Sequence, residues 1–188
     1  MTAYAAAMRI DLQEGFYLDS VREGDQAAYV EHFQDRDTVD RLLKIPFPYT
    51  AKDAEDWVRH RLQVTATQTK ETSFALRRPD GVLIGGIGFV PSSSAHRAEL
   101  GYWVARTYRG RGLATAAVKA VVAYGFQELG YRRIEATAFH QNQASFRVLE
   151  KAGFRREGLL RGYHMKNGRL IDVCMFSRVE PGHPVPKG

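Results

Sequence analysis

The 188-residue sequence has a single cysteine and no long apolar segment. One cysteine, Cys174, excludes an internal disulfide and a cysteine-based metal cluster, and the apolar run at residues 171–176 predicts a reduced thiol in the core. The most apolar stretch, residues 114–126, is interrupted by Lys119 and is too short to span a bilayer. Residues 1–10 lack the basic and apolar regions of a signal peptide. We therefore expect a cytoplasmic protein that does not enter a membrane.

The sequence also lacks the residue patterns of several common catalytic sites. No Ser-His-Asp or Cys-His arrangement indicates a covalent intermediate, and no residue spacing is typical of a metal site. The charge is moderately basic, with 27 Lys and Arg against 21 Asp and Glu and a formal net charge of +6. This excess favours a polyanionic partner such as a nucleotide cofactor or RNA. However, basic and acidic residues are interspersed, so charge alone identifies no partner.

The order of hydrophobic patterns predicts an α+β fold. Strand patterns occur at residues 16–21, 72–77, 82–90, 98–104, 133–139, 154–160 and 170–177. Helical patterns follow Asp25 and Thr50 and occupy residues 38–44, 115–129 and 144–151. In the helix after Thr50, four residues share the face expected to be buried: Ala54, Trp57, Val58 and Leu62.

These elements fit one domain over residues 1–188, with its core at about residues 16–177. The early strands favour antiparallel pairing, whereas the strand–helix–strand segment from residue 98 favours at least one parallel pair. We expect a mixed, mostly antiparallel sheet of about seven strands with about four flanking helices. Residues 162–168 are predicted to form a loop, and the Pro- and Gly-rich tail from Pro181 is predicted to be mobile.

A loop rich in glycine and arginine joins a predicted strand to a predicted helix. Its sequence is Arg109-Gly110-Arg111-Gly112-Leu113-Ala114. Backbone N–H groups in such a loop and at the following helix N-terminus can converge on an anion, and glycine lets the backbone approach it closely. The arginines add positive charge. The Walker and Rossmann spacings are both absent, so the loop by itself is either an anion-binding site or an ordinary turn.

The spacing Arg109-x-x-Gly112-x-Ala114 resembles the R/Q-x-x-G-x-G/A signature of the GNAT superfamily of acyltransferases. Residues 142–154, which read N-x-x-S…E-K-x-G-F, are similar to a second element of that family. Residues 45–50 and 98–104 resemble its RimJ/RimL branch, the ribosomal-protein N-terminal acetyltransferases and their relatives. The resemblance covers about residues 16–177 and implies a GNAT fold, a central sheet splayed in the middle, and acetyl-CoA as co-substrate.

The resemblance also implies which residues bind acetyl-CoA. The pyrophosphate would lie against the loop and the helix N-terminus, at Arg109, Gly110, Arg111, Gly112, Leu113, Ala114 and Thr115. Trp103 and Val104 would supply main-chain bonds to the pantetheine arm where the strands splay. Asn142 suits the N-cap of the helix after it, and in the family it also hydrogen-bonds the cofactor or an adjacent backbone group.

Glu99 is the candidate general base. Period-two alternation places Glu99 on the same face of its strand as Gly101 and Trp103, near the cofactor loop. The alternative is an exposed carboxylate paired with an arginine. Three histidines are rival bases because histidine titrates near neutral pH: His96, His140 and His164.

The sequence departs from the family at the general acid. Many members use a tyrosine seven residues after the motif asparagine, and Leu149 occupies that position here. Ser145, three residues after Asn142, is the alternative that the RimJ/RimL branch implies. A serine hydroxyl is a poor acid, so it would hydrogen-bond the thiolate or relay a proton through water. Ser145 is otherwise a small polar residue in the first helical turn.

We expect direct acetyl transfer to a primary amine in a ternary complex. A peptide α-amine is roughly a tenth neutral at pH 7, whereas about one lysine in 2,500 is neutral, so an α-amine needs less from the site. A protein N-terminus is the leading acceptor, and a small amine (an antibiotic, polyamine or amino-acid derivative) is the alternative. A groove open at both ends would suit a peptide, and a closed acidic pocket would suit a polyamine.

A third interpretation is a non-catalytic domain that binds acyl-CoA or RNA. The branch resemblance indicates no nucleic-acid partner beyond association with the ribosome. The sequence is compatible with a monomer or a homodimer.

Overall fold

The computed structural model describes residues 8–182, which form eight strands and five α-helices. The strands are β1 (Arg9–Asp11), β2 (Tyr17–Ser20), β3 (Ser73–Arg77), β4 (Leu83–Pro91), β5 (Arg97–Val104), β6 (Arg133–Phe139), β7 (Arg155–Lys166) and β8 (Arg169–Val179). The helices are α1 (Gln26–Phe33), α2 (Arg36–Asp40), α3 (Ala51–Thr67), α4 (Leu113–Gln127) and α5 (Gln143–Lys151). The end of the predicted mobile tail and residues 1–7 lie outside the described residues.

The strands form one mixed sheet in the order β1-β2-β3-β4-β5-β6-β8-β7. β5 and β6 are parallel, and the other neighbouring pairs are antiparallel. The parallel pairing is short, because it runs from Arg97 opposite Arg133 to Glu99 opposite Glu135 and then stops. Beyond Glu99 the two strands separate. The predicted mixed, mostly antiparallel and splayed sheet is confirmed, with one strand more than the expected seven.

Helices cover both faces of the sheet. α4 and α5 pack on one face, where Val118, Val121 and Val122 of α4 are fully buried against the strands. α1, α2 and α3 cover the other face, in a second cluster that includes Phe33 and Val58. β5 contributes side chains to both clusters, because neighbouring side chains on a strand point to opposite faces of the sheet. Among the described residues, no helix is long and apolar enough to cross a membrane.

Local signals explain several of these elements. The predicted capping box starts α3: the Thr50 hydroxyl accepts from the Asp53 N–H, and the Asp53 carboxylate accepts from the Thr50 N–H. The predicted core thiol is confirmed, since Cys174 on β8 is fully buried. The strand patterns at residues 98–104 and 133–139 correspond to β5 and β6 within one residue.

Two predicted elements are wrong. The helix expected at residues 38–44 is shorter and earlier, because the Asp35 side chain accepts from the Thr38 N–H and caps α2 at Arg36. Residues 162–168 are largely strand, since β7 runs to Lys166 and a tight turn at Asn167-Gly168, both with positive φ, leads into β8.

The face expected to be buried on α3 is only partly so. Ala54 and Val58 are buried, as predicted, but Trp57 is 39% exposed and Leu62 is 36% exposed. At 100° per residue, Ala54, Val58 and Arg61 form the centre of the buried stripe, and Trp57 and Leu62 lie at its two edges. The edge that carries Trp57 faces a large cleft.

Candidate active site

A cleft of about 1370 Å³ opens at the point where β5 and β6 separate. Its walls are formed by residues of β4, β5 and β6, by the loop between β5 and α4, and by the first turns of α4 and α5. The opposite wall comes from α3 and from aromatic residues of α1 and the segment before α3. Most of the predicted site residues therefore meet in one cavity, although they come from distant parts of the chain.

The glycine-rich loop leaves the first turn of α4 open to the cleft. Gly110 and Gly112 have φ values of 80° and 79°, which L-residues with side chains rarely adopt. Gly112 is the N-cap of α4 and has no side chain to cap the helix. The first backbone bond of the helix joins the Ala116 N–H to the Gly112 carbonyl. In the described part of the chain, the amides of Leu113, Ala114 and Thr115 therefore remain unpaired, and all three residues line the cleft.

The two loop arginines do not present free charge to the cleft. The Arg109 guanidinium donates to the Val104 carbonyl at 3.0 Å and also to Asp37 and the Thr38 hydroxyl on α2. Hydrogen bonds from Arg41 and Arg109 lower the pKa of Asp37 to about 2, so this carboxylate is ionised and offsets the charge of Arg109. Arg109 braces the loop against α2.

Arg111 lies outside the cleft wall. Its guanidinium lies 5.5 Å from the centre of the Tyr108 ring, and its carbonyl accepts from the Gln13 side chain at 3.1 Å. Its expected contribution to an anion site is therefore a general charge near the loop rather than a direct contact.

Trp103 and Val104 lie on β5 beyond the last pair with β6. Both residues lie in the part of β5 that pairs with β4 through one edge, and the other edge of the strand borders the gap. The Trp103 indole packs on Phe33, with ring centres 4.6 Å apart, and covers Gly86 of β4. A Cβ at Gly86 would lie 2.8 Å from the indole nitrogen, so glycine is required there for Trp103 to adopt this position.

Glu99 lies at the point where the gap begins. Its carboxylate accepts a hydrogen bond of 2.7 Å from the Thr137 hydroxyl on β6, and both residues line the cleft. Within residues 8–182, no ion pair to Glu99 is formed, so the alternative of an arginine-paired surface carboxylate is wrong. Glu99 retains free lone pairs that can accept a proton or a further hydrogen bond.

One of the three rival histidines reaches this cavity. His164 lines it from β7, rather than from the loop that the sequence predicts. His96 lies in the turn before β5 and is exposed. His140 is exposed at the end of β6, with Nδ1 3.6 Å from the Cys174 sulfur.

The first turn of α5 forms a further wall. Asn142 is its N-cap, with Oδ1 accepting from the Ser145 N–H at 3.2 Å, which confirms the predicted capping role. The Ser145 hydroxyl lies 2.7 Å from the Tyr102 hydroxyl. Leu149, where many family members have tyrosine, is fully buried and does not line the cleft. Leu149 belongs to the core, so the acid position of the family is absent here.

Across the cavity, one face of α3 forms a wall with helical spacing: Asp53, Asp56, Trp57 and His60. Its two carboxylates already have partners. Asp53 belongs to the capping box with Thr50, and Asp56 binds Lys52 at 2.8 Å and Arg59 at 2.9 Å. This α3 wall is therefore aromatic and nearly balanced in charge, and it does not form a strongly acidic pocket.

Tyr102, Thr137 and Trp57 are cavity residues that the sequence does not identify. Alternation places Tyr102 on the face of β5 opposite Glu99, but nothing in the sequence indicates that α5 covers that face. Thr137 is identifiable only from the β5–β6 register. The spacing of Trp57 fits the buried stripe of α3 almost as well as the cleft wall, so the sequence alone predicts a core residue.

Comparisons with known proteins agree with this arrangement. A family model described as an acetyltransferase (GNAT) domain matches residues 16–155. That span is well over half of the chain, and the protein belongs to the GNAT acetyltransferase family. The family predicted from the glycine-rich loop and from residues 142–154 is thus confirmed.

Individual relatives are similar over part of the chain. YoaA of Bacillus subtilis, an uncharacterized N-acetyltransferase, is 43% identical over 106 residues, which cover 56% of this chain and 60% of YoaA. YdaF of the same organism, provisionally named a ribosomal N-acetyltransferase, is 36% identical over 99 residues, 52% of this chain and 54% of YdaF. The chain thus spans about three fifths or less of the length of these two relatives.

A solved structure matches over nearly the whole chain. RimJ of Mycobacterium smegmatis in complex with CoA-disulfide superposes with a TM-score of 0.75 and 26% identity, over 95% of this chain and 89% of RimJ. This similarity agrees with the predicted resemblance to the RimJ/RimL branch.

Proposed function

We propose that this protein transfers an acetyl group from acetyl-CoA to a primary amine, and that its acceptor is a protein N-terminal α-amine. The observation that carries the proposal is the shared cavity. An open helix N-terminus at residues 112–115 and the Glu99 carboxylate, which forms no ion pair within residues 8–182, lie on the walls of one cleft in a GNAT fold.

The donor side fits a CoA pyrophosphate. Three unpaired amides at the start of α4 carry partial positive charge, and Gly110 and Gly112 place no side chain between them and an anion. The gap between β5 and β6 continues from this loop to Glu99. An extended arm that carries amide groups could pair there with backbone groups of Trp103 and Val104, as an added strand does at a sheet edge, apart from the Val104 carbonyl, which already accepts from Arg109. Asn142 and Ser145 would border the arm from α5.

Glu99 suits the role of general base. It is held by one hydrogen bond from Thr137, so one carboxylate oxygen remains available to the attacking amine. The amine nitrogen forms a bond to the acetyl carbon, its proton passes to Glu99, and the carbon–sulfur bond breaks with its electron pair on sulfur. Solvent then takes the proton from Glu99. No covalent intermediate with the protein is needed.

Two observations favour a peptide acceptor over a polyamine. The α3 wall of the cleft has carboxylates that are occupied by Thr50, Lys52 and Arg59 and so offer little attraction to a polycation. On the floor, Gly101 lies between Glu99 and Trp103 on the same face of β5, and a Cβ there would meet nothing within 4 Å. This open floor and the aromatic residues around it suit an extended peptide. The provisional name of YdaF points the same way.

A panel assay tests the acceptor. The protein is incubated with acetyl-CoA and with peptides, polyamines, amino acids or aminoglycosides while free thiol release is followed. We expect the highest kcat/KM with peptides that have a free N-terminus and none with the same peptides after N-terminal blocking. Turnover with only a polyamine or an aminoglycoside would show that the acceptor is not a protein N-terminus. Absence of turnover with every amine would favour a non-catalytic binding domain.

A further inference from the structure

Tyr102 and Ser145 are two hydroxyl residues that the fold brings together at the gap between β5 and β6. Their oxygens are 2.7 Å apart, the usual length of an O–H···O hydrogen bond. Both residues line the cleft that also contains Glu99 and the open first turn of α4. Tyr102 projects from the face of β5 opposite Glu99, so the pair and the candidate base flank the gap from different sides.

Ser145 is fixed at two points. Its backbone N–H is held by the Asn142 side chain at 3.2 Å, and its hydroxyl is held by Tyr102. Neither contact comes from a mobile surface group, since Tyr102 is half-buried on the central strand and Asn142 starts α5. Ser145 therefore presents its side chain to the cleft in one orientation.

Either hydroxyl can donate at this distance, and the Tyr102 hydroxyl also lies 3.4 Å from the Ser145 carbonyl; acidity favours Tyr102 as the donor to Ser145 Oγ. Burial raises the pKa of Tyr102 to about 12, although the hydrogen bond with Ser145 opposes this, so the phenol keeps its proton at neutral pH. A phenol is a stronger acid than an aliphatic alcohol and is the better donor of the two. When the Tyr102 O–H points to Ser145 Oγ, the single hydroxyl proton of Ser145 is free to point into the cleft.

We propose that Tyr102 is a positioning residue that turns Ser145 into a hydrogen-bond donor to the sulfur of the leaving thiolate. This inference rests on the proposed donor site, because it requires that the thioester lie in the gap between β5 and β6. An oxygen that accepts one hydrogen bond donates a stronger one, so Tyr102 would compensate for the weak acidity of a lone serine. The pair would stabilise the leaving thiolate in place of the acidic tyrosine that many relatives have where this chain has Leu149.

The pKa difference between a thiol and the Tyr102 phenol excludes full proton transfer from this pair to the thiolate. An ordinary thiol has a pKa of about 8.5, so moving a proton to its thiolate from a phenol near pKa 12 is unfavourable by more than a thousandfold. The carbon–sulfur bond thus breaks with its electron pair on sulfur, Ser145 donates a hydrogen bond to that charge, and the thiolate takes its proton from solvent. The proton lost by the amine reaches solvent through Glu99, so protons balance.

The test measures the bound CoA thiol and requires no acceptor. CoA is bound to excess protein, and its alkylation by iodoacetamide is followed by mass spectrometry from pH 6 to pH 10; the midpoint of the rate profile reports the thiol pKa. The only protein thiol, Cys174, is buried. One hydrogen bond to a charged group is expected to shift a pKa by about one unit or more.

We expect the midpoint of the alkylation rate profile, and hence the pKa of the CoA thiol, to be about one pH unit lower with wild type than with Ser145→Ala. Tyr102→Phe should raise the midpoint by roughly half a unit or more, and the double variant should match Ser145→Ala. With an accepted amine, Tyr102→Phe should lower kcat about tenfold while the KM for acetyl-CoA changes less than about twofold.

Tyr131→Phe is the matched control, because Tyr131 is buried against Phe89 and does not line the cleft. Its midpoint should equal that of wild type. A wild-type midpoint in Tyr102→Phe, or a shift that adds to that of Ser145→Ala, would overturn the inference. Because no amine is present in the titration, a wrong acceptor assignment would leave these outcomes unchanged, whereas failure to bind CoA would refute the donor site itself.

Discussion

Glu99 on β5 and Thr137 on β6 stay joined by a 2.7 Å hydrogen bond although their strands no longer pair beyond Glu99. The bond spans the beginning of the gap and fixes one carboxylate oxygen. The other oxygen is left for an incoming amine. This contact links the splay of the sheet to the chemistry proposed for it.

Replacing Glu99 tests its role as a base. Glu99→Gln keeps the size of the side chain and can still bond Thr137, but it cannot take a proton. We expect kcat/KM for a peptide amine to fall about 100-fold at pH 7 and to recover in part above pH 8, where the α-amine is already neutral. A pH–rate profile compared with wild type measures this. Thr137→Val should cost less, because the carboxylate remains. An unchanged profile in Glu99→Gln would remove Glu99 from the mechanism.

Replacing Gly112 tests the donor loop. Gly112→Val places a side chain beside the open amides of α4 and strains a backbone with φ near 79°. We expect the affinity for CoA, measured by calorimetry, to fall at least about tenfold, a loss of about 1.4 kcal/mol.

The control for backbone strain lies at the other end of the same helix. Gly130 also has positive φ (71°), and a Cβ there meets nothing within 4 Å. Gly130→Val should lose about 1–2 kcal/mol of stability, as Gly112→Val does, but should bind CoA normally. Equal affinity in both variants would contradict the loop assignment.

Replacing Gly101 tests whether the acceptor peptide lies over the open surface of β5 between Glu99 and Trp103. Gly101 has no positive φ and open space above it, so Gly101→Val should fold normally. The new side chain would project between Glu99 and Trp103. We expect the KM for a peptide to rise about tenfold with CoA affinity unchanged. Gly158→Val on β7, another strand glycine with free space and outside the cleft, is the control. If Gly101→Val leaves peptide kinetics intact, the acceptor does not cross this floor.

The ion pair between Arg109 and Asp37, which braces the loop against α2, predicts that stability depends on pH in the acidic range. Its partners hold the pKa of Asp37 at about 2, below the ordinary 3.8. A lowered folded-state pKa adds stability that is present above about pH 4 and is lost as the pH falls toward 2. Asp37 is partly exposed, so the contribution is small after solvent screening. We expect Asp37→Asn to lower Tm by roughly 2–4 °C at pH 6 and by less at pH 2.5. A constant difference in Tm would contradict the brace.

Patterns within single segments could be predicted from the sequence, whereas contacts between segments could not. The glycine-rich loop, the Asn142 cap and the Thr50 capping box follow from spacing alone, and the structure contains all three. The Asn167-Gly168 turn had a local signal too, because an Asn-Gly pair between two apolar runs is typical of a hairpin.

Other features depend on register and packing. The pair formed by Tyr102 and Ser145 requires knowing that α5 covers one face of β5, and the bond from Thr137 to Glu99 requires the offset between β5 and β6. The exposure of Trp57 depends on which edge of the α3 stripe α1 covers. In each case the deciding partner lies more than 25 residues away in the sequence.

Acetylation of an N-terminal α-amine can be distinguished from acetylation of lysine with one peptide that has a free α-amine and an internal lysine. At pH 7 the α-amine is neutral some two hundred times more often than lysine. After incubation with acetyl-CoA, tandem mass spectrometry locates the acetyl group. We expect the acetyl group at the N-terminus alone, and no acetylation with the Glu99→Gln variant. Acetyl groups on lysine, or an unmodified peptide alongside an acetylated polyamine, would contradict this expectation.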